Sequence, residues 1–221
     1  MEKIRRRRWI ILLWWVFSFQ PASERRLQKD ISMLRTLLAI GLLWLSTAMS
    51  AQADTLSALR GRYVIGPSSR VAFSVAQVGG GGIDGVFSRF SGTFDLQPDN
   101  VARSSVSFSL EPASVVTGQA RVESFLRSSA VFDVAAYPVI TFRSTSIRQQ
   151  GSNRALIEGV LTARGITRRE TFEATLIKRQ GRMVAFHVVG DMMRSPYGMD
   201  VGTPIYSNIA RFDMMLHGVR K

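Results

Sequence analysis

Between residues 63 and 219 apolar and polar positions alternate with a period of two, the spacing that puts successive side chains on opposite faces of a strand. Tyr63-Val-Ile runs into Gly66-Pro67, after which Val71, Phe73 and Val75 share one face. Gly79 to Gly82 form a run too pliant for regular structure, and Ile83, Val86, Phe87, Phe90 and Phe94 follow it, which predicts a hairpin loop. A phosphate-binding loop would need a Lys-Ser/Thr pair opening a helix, and neither follows. Val106, Phe108 and Leu110 alternate with serines until Glu111-Pro112 stops the run. Further strands are expected at 139–147, 155–163, 170–178, 182–192 and 208–219, with turn chemistry at Gln149 to Asn153 and at Gln180-Gly181. In three of them Phe172, Ala174 and Leu176, then Val184, Phe186 and Val188, then Ala210, Phe212, Met214 and Leu216 each form one apolar face.

Residues 121 to 142 break this pattern: from Arg121 the stretch reads as a short helix that ends in a turn, with Tyr137-Pro138 leading into strand again from Val139. About eight strands with one or two short helices predict an all-β chain, an extended antiparallel eight-stranded barrel whose end the helix partly covers. That architecture can enclose something.

The barrel pattern does not extend to the first fifty residues, which hold two apolar runs behind basic residues. Met33 to Ala53 combines Arg35, an apolar core from Leu37 to Leu45 and the ending Ala51-Gln52-Ala53, the form of a secretory signal cleaved after Ala53. Its core is far shorter than the roughly 20 residues of a membrane-spanning helix. Trp9 to Phe19 follows Arg5 to Arg8, so a second signal-like run stands in front of a complete one. The simplest account makes Met33 the start and residues 1–32 a mis-assigned extension; a basic cytoplasmic tail with a short anchor is the competing one.

Removing 53 of 221 residues leaves 54–221 as one domain of 168, with 20 Lys and Arg against 13 Asp and Glu, hence +7 rather than +13. Eighteen of the twenty cations are arginines scattered along the strands, so no nucleic-acid stripe is formed, while transient contact with anionic membrane surfaces stays open. The chain has no cysteine, which excludes disulfides and thiolate chemistry and requires a self-sufficient core. An exported domain of this kind suits a bacterial periplasm.

The 13 Phe and 9 Met of the chain allow two readings, a solid core or a tunnel lined for a long apolar ligand. Catalysis has little to draw on. His187 and His217 are the sole histidines, each within an alternating strand; neither has the spacing of a metal site, and no nucleophile elbow occurs. A small-molecule enzyme using one of them as acid or base is the alternative to a binding barrel, and a stress-related structural protein with a packed core is another. No cofactor or metal is implied.

Five ordered motifs resemble the YceI-like family: Tyr63-Val-Ile-Gly-Pro-Ser, Gly85-Val-Phe-Ser-Arg-Phe-Ser-Gly92, Phe125-Leu-Arg-Ser with Phe132-Asp133 and Tyr137-Pro138, Gly159 to Thr167, and Arg194-Ser-Pro-Tyr-Gly-Met199. The resemblance covers 61–220 and implies a lipocalin-like exported barrel, of a family some of whose members bind polyisoprenoid lipids. It therefore favours the tunnel, with Phe73, Val75, Phe87, Phe108, Leu126, Phe132, Phe142, Leu161, Phe172, Phe186 and Phe212 as ligand-binding residues, and Leu126 and Phe132 carried by a lid. Two histidines that many members carry, after the Pro-Ser and at Gln77, are absent here. An exposed strand edge would favour pairing of two copies.

Overall fold

The computed structural model describes residues 55–97 and 99–221, so the segments 1–32 and 33–53 and the cleavage expected after Ala53 lie outside the described residues. Eleven strand segments follow one another: β1 Gly61–Ile65, β2 Arg70–Ala76, β3 Gly82–Phe87, β4 Phe90–Leu96, β5 Ser105–Leu110, β6 Val115–Val116, β7 Ile140–Gln149, β8 Arg154–Ala163, β9 Ile166–Gln180, β10 Met183–Met193 and β11 Ile209–Arg220. The helix α1, Ala120–Arg127, lies between β6 and β7. All pairings are antiparallel, and the order β1-β4-β5-β7-β8-β9-β10-β11 closes into an eight-stranded ring because β1 also pairs with β11.

Three of the ring's staves are bent rather than continuous. Pro67 has no N–H to donate, so β1 ends at Ile65; Gly66 N then donates to His217 O at 2.7 Å, and Ser69 Oγ accepts from His217 N at 2.9 Å. These bonds satisfy β11 across the break, and β2 resumes the pairing, Arg70 opposite Met215. β3 and β6 continue outward from β2, leaving the sheet parted between β6 and β7. The segment 117–139, with α1, spans that parting. Ring closure leaves no strand of the ring wholly unpaired on one side, and the strand at the parting is β6, two residues long.

Two bulges adjust which residues face inward. Between Ser144 and Ser146 the β7–β8 register shifts, so Phe142 and Ile147, an odd number of positions apart, are both buried. In β9, Lys178 opposes Ala185 while Leu176 opposes Phe186; the extra residue, Ile177, is left on the outside and is 53% exposed. β9 also begins at Ile166, earlier than the alternation predicts, because Arg168-Arg169-Glu170 interrupts the apolar pattern without interrupting the ladder to β8.

Candidate functional site: an apolar cavity and its mouth

The barrel encloses a cavity of about 710 Å³, and all eleven side chains expected from the sequence line it. A hollow interior of this kind favours the tunnel over a packed core. The volume lies within the ~300–1,000 Å³ usual for small-molecule sites.

One end of the cavity is capped by apolar side chains, with Gln97 at its edge facing solvent. Leu56 and Leu59, on and after a short 3-10 turn, are buried against the interior, with Leu96, Val101 and Ser104 beside them. Leu56 N donates to Ser152 O at 2.8 Å, tying this turn to the β7–β8 hairpin. At the other end, several lining residues also face solvent: Gly82, Asp84, Gln119, Arg121, Phe125, Val201 and Gly202. There the cavity opens, between the glycine-rich β2–β3 loop, the 199–206 connection and the start of α1.

The lumen stays open partly because glycines seat aromatic rings against the wall. A Cβ at Gly85 would lie 2.6 Å from Phe73 Cε1, and one at Gly190 would lie 2.4 Å from Phe172 Cδ1. The rings occupy the space that side chains would otherwise take. They also contact one another: Phe142 and Phe172 meet edge to face with centroids 5.2 Å apart, and Phe73, Phe87 and Phe132 form a chain with spacings of 5.2 and 5.8 Å. Through Phe132 that chain joins the lid to the barrel wall.

The lid is fastened by charged side chains to backbone. Arg127 donates from Nε to Ala113 O at 2.9 Å and from Nη2 to Val115 O at 2.7 Å. Glu123 Oε1 accepts from Thr117 N and Gly118 N at 2.9 and 3.2 Å; the Thr117 amide foremost, with Gly118 and Arg127, holds its carboxyl below the usual carboxylate range against a smaller effect of burial. Leu126 is thereby turned inward and buried. The 199–206 connection is organised by buried Arg194, which donates from Nη1 to Met199 O at 2.6 Å and from Nε and Nη2 to Ser207 O at 2.9 and 2.6 Å. Burial lowers this guanidinium's pKa, with Asp200 opposing. Arg194, Arg127 and the glycine seats were not singled out as site residues from the sequence; the seats' signal is a glycine at an inward position of an alternating strand.

His187 and His217 do not line the cavity. His187 Nε2 lies 3.1 Å from Asp213 Oδ1 on the outer face, and His217 Nδ1 lies 2.9 Å from Ser68 Oγ. Among the described residues no buried side-chain nitrogen or oxygen lacks a hydrogen-bond partner, and no three His, Asp or Glu come close enough to hold a metal ion. The interior makes no unmet polar demand on a ligand.

A closed antiparallel ring around an apolar lumen, helix at its open end, defines a lipocalin-like barrel. Residues 63–215 match the YceI-like domain, and the chain belongs to that family. A UPF0312 protein of Vibrio parahaemolyticus is 30% identical over 199 residues, which is 86% of this chain and all of the relative. The protein YceI of Escherichia coli O157:H7 is 36% identical over 112 residues, 51% of this chain and 58% of the relative. Among solved structures, Burkholderia cenocepacia BcnA superimposes with a TM-score of 0.63 at 25% identity, covering 67% of this chain and 95% of that one. A polyisoprenoid binding domain from Saccharophagus degradans shares the fold, with a TM-score of 0.59 at 14% identity over 74% of this chain and all of that one.

Proposed function

We propose that the chain is a periplasmic carrier or buffer for a long isoprenoid or similar amphiphilic lipid, held tail-first in the barrel and left chemically unchanged. The observation that carries this reading is the cavity itself: apolar, capped at Leu59 and open at the lid end, it suits a molecule with one long apolar part. Burial of the tail contributes roughly 25 cal/mol per Å² removed from water, before ordering costs. The polyisoprenoid-binding fold relative supports the ligand class, and the signal pattern at 33–53 supports the compartment. Both histidines lie outside the cavity, which removes the residues on which the enzyme alternative rests.

Native mass spectrometry of the purified protein, with organic extraction of whatever it retains, tests the proposal. Co-purified lipid, or a thermal shift on adding geranylgeraniol, is the expected result. Repeated recovery of empty protein that geranylgeraniol does not stabilise would overturn it.

A further inference from the structure

We propose that the rim of the mouth is a docking surface for a phospholipid bilayer, through which the barrel loads and unloads its cargo. This rests on the lipid reading above and adds a surface and a partner to it. One lip of the mouth is built from two loops, 77–83 and 201–206, joined by a bridge between Gln77 and Tyr206 and by a bond from Val78 N to Ile205 O at 2.9 Å. The exposed carboxylates Asp84 and Asp200 flank these loops, but the loops themselves, 77–83 and 201–206, contain no Asp, Glu, Lys or Arg, in a chain where 20% of residues are charged. Instead they expose apolar side chains, Val78 at 76% and Ile205 at 59%, with Val201 beside the opening. The opposite lip carries exposed Phe125 and Arg121.

Scattered exposed aliphatics are ordinary on a protein surface, but a cluster around the entrance of an apolar cavity is not. A bilayer interface is the occupant this chemistry fits. It accepts apolar side chains to ~5–10 Å below the headgroups, and uncharged loops enter it at least cost. Gly79, Gly80 and Gly81 have open space on every side where a Cβ would stand, so the loop can conform to a soft surface rather than to a rigid partner. Arg121, which has no ion-pair or hydrogen-bond partner among the described residues, stands on the same rim where lipid phosphates would lie. The excess of 20 cations over 13 anions in 54–221 supplies long-range attraction to an anionic leaflet.

Flotation with large unilamellar vesicles of phosphatidylethanolamine and phosphatidylglycerol decides the matter, comparing wild type with V78D/I205D. Wild type is expected to float, and the double variant to bind vesicles about tenfold less, the loss of two inserted apolar side chains being ample for that. Neither side chain lines the cavity, so both proteins should bind geranylgeraniol added without vesicles with affinities within about twofold of each other. Should V78D/I205D lose its circular dichroism signature, V78S/I205S takes its place. R121Q should weaken binding chiefly when phosphatidylglycerol is present. The proposal is overturned if wild type does not float, if the double variant floats equally well, or if sedimentation shows that the variant merely converts a dimer to monomer. Wild type that floats yet takes up no geranylgeraniol would sink the lipid-carrier reading and leave the docking surface standing.

Discussion

Arg164 joins two segments far apart in the chain: Nη2 donates to the carbonyl of Ser129 in the lid at 3.1 Å, and Nη1 to the carbonyl of Gly198 after β10 at 2.5 Å. Its backbone sits at φ 50°, in the left-handed region, and a Cβ at neighbouring Gly165 would stand 3.0 Å from the ring of Tyr137. The β8–β9 turn is therefore a clasp on the lid. Arg164→Asn keeps a side chain that tolerates this backbone and removes the guanidinium. It is expected to cost ~1 kcal/mol of stability, the size of a partly exposed charged hydrogen bond. Faster release of bound geranylgeraniol and faster proteolysis within 128–139 would accompany it; unchanged release would show that the lid needs no clasp.

Gly85→Ala should narrow the lumen without breaking the wall. The nearest atoms to the added Cβ are the Cε1 and Cζ tips of Phe73, at 2.6 and 2.7 Å, and the Thr117 methyl at 3.2 Å, so the ring swings inward rather than the backbone moving. Calorimetric titration with geranylgeraniol is expected to show about a tenfold loss of affinity, ~1.4 kcal/mol. Unaltered affinity would mean that the ligand does not reach Phe73.

At the capped end, Leu59→Ala should lengthen the cavity. Truncating this fully buried side chain costs ~2–5 kcal/mol in the ligand-free protein. A longer isoprenoid, filling the new space, is expected to recover more of that loss than a shorter one. Thermal shifts across a chain-length series measure it, and equal recovery at every length would contradict the assignment of Leu59 as the end wall.

Two carboxylates should respond to pH with opposite sign. Glu170 is pushed above the usual carboxylate range by burial, opposed by the hydrogen bond it accepts from Tyr197 Oη at 2.8 Å. Its contribution to stability is complete below the ordinary carboxylate pKa and is lost as pH rises through the elevated one. Glu170→Gln should therefore gain on wild type in melting temperature as pH rises from acid to neutral. Glu123 is the reverse: its lowered pKa makes the lid anchor complete above the ordinary value and weakens it as pH falls through the depressed one. Amide exchange at Thr117 and Gly118, corrected for intrinsic rates, should quicken on acidification in wild type and lose that pH dependence in Glu123→Gln, whose amide oxygen can still accept both bonds. The absence of either trend would count against the corresponding pair.

The strands were legible because a half-buried ladder imposes its period of two on residue type, and the same parity picked out the lumen-facing phenylalanines. Bulges escape that logic. Nothing in Ser144-Thr145-Ser146 or Ile177-Lys178 announces an extra residue, since the shift exists only relative to the partner strand. The lid's anchors were equally hidden, because Arg127 and Arg164 bond to backbone carbonyls, which carry no side-chain signature in the sequence. Tyr197, part of a matched motif, gave no hint of Glu170, 27 positions away, as its partner.

The last strand serves both broken pieces of the first stave: Gly218 to Arg220 pair with β1, and Arg211 to Met215 with β2. Every backbone group along that seam therefore waits for residues 209–220 to be made. Hairpins earlier in the chain can form one after another, yet the interior stays open to water along that seam until residues 209–220 dock, because among the described strands β11 alone pairs with both β1 and β2. Closure of the ring thus falls to one strand, and loss of Gly218 to Arg220 alone would part β1 from β11.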